Sequence, residues 1–182
     1  EKALDHIFGY AVGFDMTRRD RQRESGKNGL PWEIGKSFDL SAPIGALHKL
    51  ASIGHFTEGN IWLKVNGQVK QNSNLKNMIW SVAEQISKLS EAFELFPGDI
   101  IYSGTPENVG PVVRGDVIEM HIDRLPNLSV KIVGKLMLNI IGDMVCDGRC
   151  GRFINLNVKG DKTLITIVVY NNVMNLPGTW DR

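Results

Sequence analysis

A carboxylate, a guanidinium and a primary amide fall close together in the run DMTRRDRQ, where Asp15 ends an apolar segment and Arg19 and Gln22 follow three residues apart. Residues three apart share one face of a helical turn, so the set would stand together at a strand end. There the carboxylate could hold a metal ion and the guanidinium could clasp an anionic substrate. The same residues also describe a solvated, charged helix capped by an acid, and spacing leaves both readings open. Lys36, in WEIGKSFD, is a second candidate. Set among Trp32, Ile34 and Phe38, its ammonium would meet a substrate carboxylate or enolate inside a cleft, or else pair with Asp39 on the surface. The third is SGTPENVG at 103–110, a loop punctuated by Gly and Pro. Its Thr105 hydroxyl and backbone N–H groups could cradle an oxyanion, although no Gly-Lys-Ser/Thr follows to make it a phosphate-binding P-loop.

The elements that must position these groups are mostly strands. The apolar run His6 to Phe14 predicts a buried strand ending at Asp15, and Thr17 is expected to cap a short polar helix that Gly26 and Gly29 stop. Asn66-Gly67 between Ile61–Val65 and Gln68–Gln71 predicts a hairpin, because the pair supplies the two positive φ values of a tight primed turn. Leu75, Met78, Ile79, Val82, Ile86 and Leu89 recur at helical spacing and predict one amphipathic helix. Pro97-Gly98-Asp99 and Arg114-Gly115-Asp116 predict turns into strands at Ile100–Ser103 and Val117–Asp123, with Leu128–Val133 closing the region. From Gly134 onward Gly and Asn become frequent and the β-prone run Thr163–Tyr170 appears.

Composition narrows the function classes. With 182 residues, 42 % of them hydrophobic and 23 % charged, the chain can bury a real core, which excludes disorder and collagen-like structure. A net charge of +1, with both signs mixed along the chain, leaves no footprint for nucleic acid or an anionic membrane. No apolar run is long enough to span a bilayer and residues 1–6 do not read as a secretion signal, so a cytoplasmic protein is expected. Cys146 and Cys150, in CDGRC, match no redox or zinc spacing and read as ordinary thiols. The Asn127-x-Ser129 match carries no weight without a secretion signal.

Taken together and in order, GYAVGFDMTRRDRQ (9–22), LPWEIGKSFDLSAPIG (30–45), LKVNGQVKQ (63–71) and FPGDIIYSGTPENVGPVVRGDVIE (96–119) resemble the fumarylacetoacetate hydrolase superfamily over residues 1–133. Within it, EKALDHIFGYAVG, GNIWLKVNG and NMIWSVAEQISKLSEAFEL are most similar to bacterial fumarylpyruvate hydrolases of the gentisate route. The resemblance implies an α+β, mainly β fold with a mixed, rolled β-sheet, a homodimer, and a magnesium or manganese ion holding the oxygens of a diketo acid. Asp15 would be a metal ligand. Lys36 and Gln22 would be catalytic groups supporting the oxyanion, and Arg19, Thr105 and Tyr102 would contact substrate. It further implies an upstream His with a nearby Glu, and a Glu-x-Glu pair, so the domain at 1–133 is expected to be incomplete at its N-terminus. His6, His48, His55 and His121 are then structural or surface groups. Residues 134–182 resemble no part of the family, form an unassigned β-prone tail, and should be dispensable for the fold of 1–133. The implied activity is metal-dependent hydrolysis of a carbon–carbon bond in a diketo acid. The alternatives are a decarboxylase or isomerase of related keto acids, or a catalytically silent, dimerising β module.

Overall fold

The computed structural model describes residues 2–133 and the backbone of the strand at 167–175. A short 3-10 turn at Ala3–His6 precedes β1 (Gly9–Thr17), in which every residue is buried except Asp15. Burial on both faces is what a near-continuous apolar run requires. The strand thus lies later than the expected His6–Phe14. Gly9 sets its start, because a Cβ there would stand 2.2 Å from the carbonyl oxygen of His48 on β2 (His48–Lys49), which pairs at that point. Residues 41–45 set its end, running along β1 and bonding it through Phe14 N to Pro43 O at 2.9 Å and Met16 N to Ser41 O at 2.7 Å.

Two sheets share one core. In the first, β1 pairs antiparallel with β2 and parallel with β9 (Ile167–Asn175), and β9 pairs parallel in turn with β5 (Ile100–Gly104) and β6 (Gly110–Pro111). The second is antiparallel, in the order β4 (Gln68–Asn74), β3 (Asn60–Val65), β7 (Val117–Ile122), β8 (Leu125–Lys131). The architecture is mainly β and mixed, as the sequence implied. Tyr10, Val12, Phe14 and Met16 of β1 pack with Leu63, Ile118, Met120 and Ile122 of the second sheet in a single apolar cluster. The period of two puts these residues on one face of their strands, and each such side chain contributes about 1.5–3 kcal/mol on burial.

The Asn66-Gly67 hairpin forms as expected, with φ of 52° and 79° at its two turn residues. The single amphipathic helix does not. Leu75–Asn77 is a separate 3-10 turn, the helix α4 spans only Val82–Ala92, and Ile79 is 95 % exposed. Ser81 explains the break: its hydroxyl accepts from Glu84 N while the Glu84 carboxylate accepts from Ser81 N, a reciprocal cap that starts the helix there. Thr17 likewise is no helix cap. It closes β1, fully buried, and α1 (Arg19–Lys27) follows without a side-chain cap. The remaining helices, α2 (Glu33–Lys36) and α3 (Leu50–Ile53), are single turns.

Residues 167–175 lie within the first sheet, between β1 and β5. The reason is complementary pairing. β1 and β5 do not bond each other, and a β-branched run such as IVVY satisfies the facing edges of both. Cys146, Cys150 and residues 163–166 of the β-prone run lie outside the described residues.

Candidate functional site

Because Tyr10, Val12, Phe14 and Met16 point into the core, alternation turns Ala11, Gly13, Asp15 and Thr17 to the opposite face of β1. On that face Ala11 packs with Phe8, Ile44, Leu47 and Tyr102. Asp15 is the partly open carboxylate at its end. Lys36 comes to it from α2: Nζ donates to Asp15 Oδ2 at 2.6 Å and to Thr17 Oγ1 at 2.8 Å. The docking of α2 depends on Gly35, since a Cβ there would lie 3.0 Å from the backbone nitrogen of Gln22. Its carbonyl also accepts from Arg18 N at 2.9 Å, closing the turn between β1 and α1.

Arg19 and Gln22 meet on the first turn of α1, where Arg19 Nη1 donates to Gln22 Oε1, and Gln22 is buried against α2. Tyr102 reaches the same face from β5. Its hydroxyl donates to the carbonyl of Ala42 at 2.9 Å, which ties the 41–45 segment to the sheet. Burial, and then the negative charge of Asp15, push its phenol up to about 12, so it is a neutral donor throughout the physiological range. Tyr102 also packs against Ala11, on the strand face that carries Asp15. Thr105 follows β5, its hydroxyl donating to the carbonyl of Pro106 at 3.3 Å, and Gln71 Nε2 of the second sheet lies 3.4 Å from that hydroxyl and donates to the carbonyls of Pro106 at 2.9 Å and Glu107 at 2.8 Å. A cavity of about 550 Å³ opens beside this turn, lined by Thr105, Pro106, Met78, Ile79, Trp80 and Gln85.

The six sequence candidates therefore fall into three groups. Asp15 with Lys36 is a direct ion pair, Arg19 with Gln22 is a hydrogen-bonded pair on the adjoining helix, and Tyr102 is electrostatically coupled to Asp15. Thr105 is held separately by Gln71. Two contributors escaped the sequence reading. Thr17 lies two residues after Asp15, so strand alternation puts it on the same face, and that signal is present in the sequence, whereas Gln71 is turned inward by a bulge that no sequence pattern marks. Of the histidines, His55 bonds the Tyr10 hydroxyl at 2.8 Å and His121 stacks on Trp62.

Divalent metal ions of the magnesium type take several oxygen ligands, usually from carboxylates and waters. Asp15 does not meet that need. Its Oδ2 is engaged by the Lys36 ammonium, and no group of three or more His, Cys, Asp or Glu side chains comes together among the described residues. A cation could meet Asp15 at its other oxygen, Oδ1, and would need further donors.

The family model for the C-terminal part of fumarylacetoacetate (FAA) hydrolase matches residues 1–133. Fumarylpyruvate hydrolase of Ralstonia sp is 41 % identical over 132 residues, covering 72 % of this chain and 68 % of the relative. The mitochondrial oxaloacetate tautomerase of Homo sapiens is 42 % identical over 130 residues, covering 71 % and 59 %. Among solved structures, fumarylpyruvate hydrolase from Pseudomonas aeruginosa, in complex with Mn2+ and pyruvate, superposes with a TM-score of 0.73 at 51 % identity, covering 74 % of this chain and 57 % of that one. The chain thus spans between 57 % and 68 % of the length of these relatives. No helix among the described residues is long and apolar enough to cross a membrane.

Proposed function

The chain belongs to the fumarylacetoacetate hydrolase family, and on that premise we propose that residues 1–133 form the keto-acid-binding part of an enzyme that cleaves a carbon–carbon bond in an acylpyruvate. Fumarylpyruvate is the substrate its motifs fit best. The observation that carries the reading is the Lys36 ammonium, fixed by Asp15 at 2.6 Å and by Thr17 at 2.8 Å at the mouth of the strand. Two of its three protons have partners among the described residues, and the third suits the carboxylate or enolate oxygen of a 2-keto acid. Arg19 and Gln22 stand on the next turn to orient the same anion, and Thr105 supports a carboxylate at its far end.

Hydrolysis adds water to the acyl carbonyl and breaks the bond from that carbon to the methylene. The electron pair passes to the pyruvate fragment as an enolate, which then takes up a proton at carbon. Lys36 stabilises the enolate oxygen by charge and hydrogen bonding, and Gln22 keeps Arg19 aimed at the substrate. Buried Tyr102, held protonated, keeps the 41–45 segment against β1. The general base that activates water is not among these groups. Magnesium or manganese enters this proposal as a ligand needing donors beyond Asp15. The protein is proposed to act as a cytoplasmic homodimer.

Enolate stabilisation serves keto–enol exchange equally well, and the tautomerase among the relatives favours that second reading. One experiment tests both. The 182-residue chain is incubated with fumarylpyruvate and, separately, with enol-oxaloacetate, each with Mg2+, with Mn2+ and with EDTA. Because a positioned base typically contributes about 10²- to 10⁴-fold, slow or no hydrolysis and little metal dependence are expected, with measurable pyruvate binding. Absence of binding by pyruvate and by both substrates would overturn the proposal. Robust metal-dependent turnover lost in Asp15→Ala would show that the chain already holds its base and its metal ligands.

A further inference from the structure

Gln71 is the fully buried residue of β4, and a bulge places it there: Leu63 pairs with Gln71 but Lys64 with Val69, so Lys70 is the extra residue. Its amide donates to two successive carbonyls, of Pro106 and Glu107, with Thr105 Oγ1 close by. Two acceptors on one end settle which end is nitrogen, since an oxygen there would face oxygens. Oε1, by contrast, is buried and has no partner among the described residues. An orphaned buried acceptor is destabilising, and an apolar side chain of the same shape would avoid it. The amide is nonetheless what satisfies the two turn carbonyls, which an apolar side chain would leave without that donor.

The consequence lies in the peptide planes. In a trans peptide the C=O and the following N–H point in opposite directions, and no cis bond occurs among the described residues. With the carbonyls of Pro106 and Glu107 drawn toward Gln71, the N–H groups of Glu107 and Asn108 point away from it. Positive φ at Gly104 (111°) and Asn108 (68°) gives the chain the turn this needs. Successive N–H groups turned outward in such a loop make a concavity for an anion.

We propose that Gln71 is a positioning residue, holding the 105–108 turn so that the amides of Glu107 and Asn108 receive one carboxylate of the keto acid. This rests on the keto-acid reading above and adds the group that builds its carboxylate cradle from behind, without touching substrate.

The test is a pyruvate titration of the 15N-labelled 182-residue chain, followed by amide resonances, for wild type, Gln71→Met and Gln71→Glu. In wild type the Glu107 and Asn108 amides should move with pyruvate. In Gln71→Met they should shift before any ligand is added, and pyruvate affinity should fall about tenfold or more, with a lower urea midpoint because the two turn carbonyls lose their donor. In Gln71→Glu affinity should recover toward low pH, where a protonated carboxyl can again donate to a carbonyl, and a purely packing role would give no such pH dependence. Pyruvate binding that leaves the Glu107 and Asn108 amides unmoved in wild type would overturn this inference and leave the keto-acid reading standing, even if neither variant folds. Unchanged affinity in a folded Gln71→Met would do the same. Absence of any pyruvate binding to wild type would overturn both.

Discussion

Replacing Lys36 by Met keeps the stem of the side chain and removes the charge that joins α2 to the end of β1. The lysine and the aspartate side chains are 28 % and 27 % exposed, between the surface regime, where an ion pair is worth about 0–1 kcal/mol, and the buried one, where breaking a pair costs about 3–5 kcal/mol. Lys36→Met also strips the buried Thr17 hydroxyl of its donor, a loss of about 1 kcal/mol or more. A destabilisation of about 2–3 kcal/mol is therefore expected. Asp15→Asn retains an acceptor for Nζ and should cost less, about 1 kcal/mol. The double variant should cost less than the two added together, by about 1–2 kcal/mol, because the second substitution removes a partner already lost. Urea unfolding of the four proteins measures this, and a pyruvate titration of each measures the site. Affinity should fall about tenfold or more in Lys36→Met, a fold-change equivalent to about 1.4 kcal/mol. Single effects that add within about 0.5 kcal/mol would mean that the pair is not coupled, and unchanged affinity in Lys36→Met would remove Lys36 from the site.

Removing residues 134–182 should expose the facing edges of β1 and β5 that β9 occupies, so the shortened chain is expected to aggregate or to lose cooperative unfolding; a soluble, cooperative product would show instead that the tail is dispensable for the fold of residues 1–133. Tyr10 and Tyr102 are both pushed up to about 12, chiefly by burial, so the folded state holds their protons more tightly than the unfolded chain does. Their contribution is complete below pH 10 and is lost as pH rises through 12, and ultraviolet difference titration should show both ionising only near alkaline unfolding. Ser81→Ala removes the reciprocal cap of α4 and should cost about 1 kcal/mol, read as a lower thermal midpoint with little change in pyruvate binding. Gly35→Ala forces α2 away from Gln22 by a few tenths of an ångström and should weaken pyruvate binding more than it lowers the unfolding midpoint.

Local rules were sufficient for part of this molecule. Asn66-Gly67 turns where it does because its φ values are a property of those two residues, and Val117–Ile122 buries every second side chain because the pleat requires it. The order of four motifs was equally legible, and it carried the family and the identity of Asp15, Arg19, Gln22, Lys36, Tyr102 and Thr105 as candidates. Where local signals competed, pattern alone misled. The stripe from Leu75 to Leu89 ran through a Ser-x-x-Glu cap, and the hydrogen bonds of the cap outweighed the periodicity. Thr17 had the chemistry of a cap, yet the pairing of β1 carried the strand through it.

What spacing could not contain is who meets whom across the chain. Lys36 reaches Asp15 only because Gly35 lets α2 settle on α1, and Gln71 reaches the turn after β5 only because a bulge rotates it inward between two sheets. The place of residues 167–175 between β1 and β5 is likewise a matter of which strand edges remain to be paired, and that is known only once the rest of the sheet has formed. Side-chain type and strand alternation are local quantities and can be read from the sequence. Contacts between residues distant in the chain depend on the packing of whole elements, and only the tertiary structure decides them.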